Sequence, residues 1–145
     1  MSAAPPLAPD AAMVLGIAST AMPFARTRED EAERWLRLLR LHGEAGAALQ
    51  ALGVSDGAIE EGGKGLHPDR APRGGETEDE RDAVARIAQD AAGIARGRDA
   101  RAITTADVLS AVMHFYGEDF DRVLHAHGTE RSELLDLLGA ARAAS

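Results

Sequence analysis

His114, His125 and His127 fall close together in the last third of the chain, and a metal centre is the chemistry such a grouping invites. A metal needs several ligands converging on one point. His125 and His127 are two residues apart, which on a helix turns their side chains to different faces, so they do not converge. Ordinary helix and surface positions account for the histidines. A nucleotide site needs a Gly-rich loop ending in Gly-Lys-Ser/Thr between a strand and a helix. Gly62-Gly63-Lys64-Gly65 is the nearest approach, but it follows no expected strand and opens no helix. The serines and threonines lack a base and an orienting acid at recognisable spacing, and helix caps explain them. A small helical hydrolase or metal enzyme is therefore carried only as the alternative of another class, and no cofactor or metal is expected.

Aromatic side chains dominate protein interfaces, and the chain has five: Phe24, Trp35, Phe115, Tyr116 and Phe120. With so few, most are expected in the core. Phe115 and Tyr116, at the end of an expected helix, are the two expected to be partly exposed and to touch a partner.

The elements that must position these residues read as helices throughout. Pro9 suits the first position of a helix running to about Met22, with Met13, Val14, Ile17 and Ala18 as its buried face. Residues 1–8 are Pro/Ala-rich and expected to fray. Pro23 stops the first helix, and Thr27 can cap a second whose first turn holds Glu29, Asp30 and Glu31, where the helix dipole favours acids. That helix should run through Trp35 to about Leu41, and a shorter one follows the turn at Gly43. From Ser55 to Gly75 glycine and proline replace apolar residues, which marks a connector expected to be mobile over about 61–75. Thr77 and Glu80 form a capping box ahead of Val84, Ile87, Ala88, Ala91 and Ile94, on one helical face ended by Gly97. Thr104 or Thr105 can then cap a helix carrying Val108, Leu109, Val112 and Met113 up to Gly117. Phe120, Val123 and Leu124 lead to a terminal Gly128, and Leu134, Leu135 and Leu138 form a last apolar face, with 139–145 as a tail. Nothing alternates as a strand would, so the fold class is all-α.

The chain has 145 residues and a formal charge of −8, about one ordinary domain, and the acidic balance argues against a nucleic-acid partner. Cysteine is absent and Lys64 is the only lysine. No basic leader and no apolar run of about 18 residues is present. The expected protein is soluble, cytoplasmic and without a membrane partner.

One order of signals occurs twice. Trp35, Leu36, Leu38 and Leu39 precede Gly43, then Ala48, Leu49 and Leu52 precede Gly53-Val54, and the stretch from Ile103 to Gly128 repeats this pattern. Leu49 and Gly53 match Leu124 and Gly128 at a common offset of 75 residues, which points to an internal duplication. ITTADVLSAV is similar to the I-G-T-E-H-L-L-x-A-L segment of the Clp N-terminal repeat, which opens the Clp AAA+ unfoldases. YGEDFDRVLHAHGTERSELLDLL resembles that family's continuation, and WLRLLRLHGEAGAALQALGV resembles the same continuation in the first half.

The resemblance implies two tandem four-helix Clp-N-like repeats packed with pseudo-twofold symmetry into a single domain over 9–138, repeat one about 9–60 and repeat two about 76–138. It also implies a non-enzymatic protein-binding module whose partner is a protein substrate, an adaptor or a Clp-type unfoldase, in the service of protein unfolding and proteolysis. Without an ATPase module in the sequence, a free-standing protein is the first expectation and the N-terminal fragment of a larger Clp-family unfoldase the second. Some relatives bind phosphoarginine through the glutamate of G-T-E-H. Ala106 stands at that place in the second repeat and Asp107 at the histidine's. In the first repeat Glu31 or Glu33 falls near it, both also readable as ordinary helix-surface acids paired with residues such as Arg37. Glu31, Glu33, Asp107, Phe115 and Tyr116 are thus the candidate protein-binding residues, with weak or no phosphoarginine binding expected in the second repeat.

Overall fold

A computed structural model describes residues 5–54 and 77–144, and over these residues the chain is all-helical, with no strand. No helix among them is long and apolar enough to cross a membrane. The connector and Gly62-Gly63-Lys64-Gly65 lie outside the described residues.

Helix α1 spans Pro9–Ala21 and starts on its proline. Its buried residues are Ala11, Val14, Leu15 and Ala18, whereas Met13 and Ile17 are 53% and 40% exposed. The expected face was thus displaced around the helix. Val14 and Ala18 belong to both sets; Ala11 and Leu15 replace Met13 and Ile17, and the small Ala11 favours the observed face because it lets a neighbouring helix approach closely. Nor do residues 5–8 fray: the Ile103 N–H donates to the Pro6 carbonyl at 2.8 Å and the Ala8 N–H to the Ile103 carbonyl at 2.9 Å. These two bonds make a single parallel bridge between Leu7 and Ile103, which holds the entry to α1 beside the second half of the chain.

After a 3-10 turn at Met22–Phe24, helix α2 covers Arg28–Arg40. Thr27 caps it as its sequence requires: Thr27 Oγ1 accepts from the Asp30 N–H at 3.0 Å, and the Asp30 carboxylate accepts from the Arg26 N–H at 3.0 Å. Helix α3, Gly43–Ala51, begins on a glycine with φ of +61°. A Cβ at Gly43 would stand 2.5 Å from Thr105 Oγ1, so both backbone and space demand glycine there. That same hydroxyl accepts from the Ala45 N–H at 3.1 Å, capping α3 from sixty residues away.

Helix α4 runs Thr77–Gly97 and buries Val84, Ile87, Ala91 and Ala95. Helix α5, Thr105–Tyr116, is capped by Thr104, whose N–H donates to the Asp107 carboxylate at 3.0 Å. Helices α6, Glu118–Ala126, and α7, Arg131–Ala144, complete the fold. The last helix runs through the expected tail, because Ala-Ala-Arg-Ala-Ala is strongly helix-forming. Within it Leu134 and Leu138 are buried while Leu135 is 46% exposed.

Helices α3 and α6 end alike. The Val54 N–H bonds the Leu49 carbonyl and the Gly53 N–H the Gln50 carbonyl, as Thr129 does to Leu124 and Gly128 to His125, at 2.9–3.1 Å. With Gly53 at φ +87° and Gly128 at +86°, each is a Schellman closure. Packing then crosses between the halves: α2 lies against α6, and α3 against α5 and α7, while α4 packs on α5. One continuous core results, containing Trp35, Leu36 and Leu49 from one half and Leu109, Phe120 and Leu124 from the other.

Candidate functional site

Where α2 packs across the end of α5 and along α6, four of the five residues singled out from the sequence are found. Glu31 is on the inner side of α2, 7% exposed. Its carboxylate accepts from the Tyr116 hydroxyl at 2.8 Å, which in turn accepts from the Trp35 indole N–H at 3.1 Å. Burial, then the neighbouring Glu31 carboxylate, push the Tyr116 phenol far above its ordinary range. The phenol is thus held protonated, as the donor in this chain. Tyr116, expected to be partly exposed, is only 2% exposed, because a residue at a helix end is covered when another helix crosses that end.

Phe115 is half-buried and meets Tyr116 edge-on, with centroids 4.9 Å apart. The Arg28 guanidinium lies over both rings, 5.2 and 5.0 Å from their centroids, an arrangement that favours a cation electrostatically. Arg28 also donates to the Phe115 carbonyl at 2.8 Å and to Asp119 at 3.1 Å. Two residues beyond Glu31, Glu33 faces His127 at the far end of α6, whose Nε2 lies 3.1 and 3.2 Å from the two Glu33 carboxylate oxygens, and Arg37 Nε donates to Glu33 at 3.0 Å. His127 is 4% exposed at its side chain, while His114 and His125 are exposed. Among the described residues no three His, Asp or Glu side chains are grouped to hold a metal ion.

Asp107 stands apart from the other four. Its side chain is wholly buried and receives two guanidinium bonds from Arg98, at 2.9 and 2.7 Å, besides the Thr104 N–H. The bond to Asp107 raises the Arg98 pKa. A carboxylate so enclosed presents no surface to another protein, and its work is to join the end of α4 to the start of α5.

Beside this junction an open groove of about 840 Å³ runs between α6 and the start of α7, with Glu29 at one edge. Arg122 crosses it as a bridge, bonded to Glu29 and Asp119, and the bond to Glu29 raises its pKa. Arg131 closes another side, 2.7 Å from Asp121 and 3.0 Å from the Met113 carbonyl.

No protein-family model, no curated protein and no solved structure matches the chain.

Arg28, Arg98, Arg122 and Arg131 organise this region, and none was singled out from the sequence. Arginines on helices at irregular spacing read as surface charge, and their partners are as much as 93 residues distant. The one signal available was the recurring order of helix starts and glycine ends. Thr27 and Thr104 each accept from the backbone N–H three residues on, that of Asp30 and of Asp107, and an alignment on these two caps would put Glu29, rather than Glu31 or Glu33, opposite Ala106.

Proposed function

We propose that this chain is a protein-binding module built from two copies of one helical unit, of the kind the Clp N-terminal repeats form, and that it recognises a protein substrate, an adaptor or a Clp-type unfoldase without catalysing a reaction. The observation that carries the reading is the reciprocal exchange of contacts: α2 packs on α6 while its counterpart α5 packs on α3. Two equivalent units related by a twofold axis would produce that exchange. The capping threonines lie 77 residues apart, and buried Ala32, Trp35, Leu36 and Leu39 have buried counterparts at Leu109, Val112, Met113 and Tyr116 with the same spacing. The Schellman glycines are 75 apart. The shortfall of two belongs to a helix one residue shorter, α5 against α2, and to a turn of Gly117 alone where the first unit has Leu41 and His42.

Most acids and aromatics of the α2–α5–α6 junction are occupied internally, so recognition falls to what stays accessible around them, Phe115 and the groove beside it. The intact chain should bind saturably to at least one of three purified probes in surface plasmon resonance: a Clp-type unfoldase, an unfoldase adaptor, or a loosely folded substrate protein. Phe115→Ala should weaken that binding while leaving the circular dichroism spectrum unchanged. Failure with all three probes, or turnover in a hydrolase screen, overturns the proposal. Titration with free phosphoarginine adds a second arm. No tight site is expected in the second unit, where Ala106 is 1% exposed and has no carboxylate, so two tight sites per chain would contradict the reading.

A further inference from the structure

The groove between α6 and α7 is lined by more negative charge than its own arginines neutralise. Asp121 is engaged by Arg131 and Glu29 by Arg122. Glu118 and Glu130 also line it, both exposed and with no ion pair among the described residues. The groove therefore keeps two carboxylates free, about −2 after pairing, on a chain of net charge −8. Peptide segments dock into open surface grooves, and acidic or basic linings select the charge of what they take.

We infer that this groove is a docking site for an extended peptide segment carrying lysine or arginine side chains. Charge complementarity selects that occupant. A phosphate-bearing ligand or an acidic segment would meet Glu118 and Glu130 with nothing left to offset them, since Arg122 and Arg131 are already committed. A divalent cation is disfavoured because no three His, Asp or Glu side chains converge among the described residues. A chain with basic side chains spread along it can meet separated carboxylates one at a time. The acidic field of the whole molecule would speed its approach and make the association salt-dependent. This inference rests on the protein-binding reading and gives it a partner chemistry: a basic stretch of the bound protein.

The test is fluorescence polarisation with the full chain and two labelled decapeptides, one alternating arginine with alanine and one alternating glutamate with alanine. The basic peptide should bind saturably and the acidic one should not. Binding should weaken about tenfold in the double variant Glu118→Gln/Glu130→Gln, two exposed charge pairs being lost, and fall further in 0.5 M salt. Glu44→Gln/Asp90→Asn, which removes two charges away from the groove, serves as the control for net charge and should bind as the unaltered chain does. Equal weakening in the control variant would mean that overall charge, not the groove, attracts the peptide, and would overturn the inference. So would unchanged binding in the Gln variant, or no binding by the unaltered chain. If the protein probes still bind while the peptide results fail, only the groove assignment falls. Loss of both removes the protein-binding reading as well.

Discussion

Replacing Tyr116 by Phe removes one oxygen from the centre of the junction and leaves the ring in place. That oxygen donates to Glu31 at 2.8 Å and accepts from the Trp35 indole at 3.1 Å. A hydrogen bond to a charged group contributes about 1.5–3 kcal/mol, and a buried donor left without a partner costs about 1–3 kcal/mol. Trp35 is 0% exposed, so water cannot replace the acceptor. Because the two costs overlap and no cavity opens, the expected loss is about 3 kcal/mol in all. For a chain of this size that lowers Tm by about 6–12 °C. Urea unfolding followed by circular dichroism, with the slope m unchanged, measures it directly. The same substitution should also alter the response to alkali. Burial and the Glu31 carboxylate raise the phenol's pKa in the folded chain, whereas in the unfolded chain it ionises near pH 10. Above about pH 10 the folded state therefore holds the extra proton, and stability falls by up to about 1.4 kcal/mol per pH unit. The contribution is fully present below that pH, and the Phe variant should lack this part of the slope. A stability change under about 1 kcal/mol, or identical alkaline profiles for the two proteins, would refute the network as described.

Arg98→Met should cost about 2–4 kcal/mol, since it strips two bonds from a carboxylate with no access to water, tempered by the partial exposure of Arg98 itself; denaturant titration checks the value, and a neutral result would mean that Asp107 is satisfied by its other partners alone. Gly46→Ala should destabilise the chain more than Gly128→Ala. The new Cβ at Gly46 would lie 2.6 Å from the Arg40 carbonyl, while at Gly128 it meets open space and only the positive φ opposes it, about 1–2 kcal/mol. Thermal melts of the two variants rank them. Cleavage of the connector between Gly62 and Gly75 should leave both halves together on a sizing column and melting in one transition, because the α2–α6 and α3–α5 contacts cross between them; halves that separate and fold independently would contradict the shared core.

Local signals in the sequence sufficed for most helix starts and ends, though not for the last helix's run through the expected tail or the bridge from Leu7 to Ile103. Thr27 and Thr104, acids in first turns, Pro9 and the glycines at 53, 117 and 128 act through hydrogen bonds and φ angles within a few residues, so these starts and ends follow from neighbours alone; the end expected at Gly97 closes instead on Asp99, at φ +55°, with the Asp99 N–H on the Arg96 carbonyl at 3.1 Å and the Ala100 N–H on the Ala95 carbonyl at 2.9 Å. The recurring order of signals was legible for the same reason, and it is what the proposed pair of units rests on. Tertiary structure decided everything that depends on which surfaces meet. The face of α1 is one such choice, since Met13/Ile17 and Ala11/Leu15 fit helical spacing equally well and only the neighbouring helices select between them. Tyr116 is another, a terminal residue covered when α2 crosses. The candidate acids show the limit most clearly. Glu31, Glu33 and Asp107 carry the same charge on similar helices, yet one is buried against a phenol, one faces a histidine and one is clasped by Arg98. A carboxylate's availability depends on partners far away in the chain, and only the packed structure brings those partners within hydrogen-bonding distance.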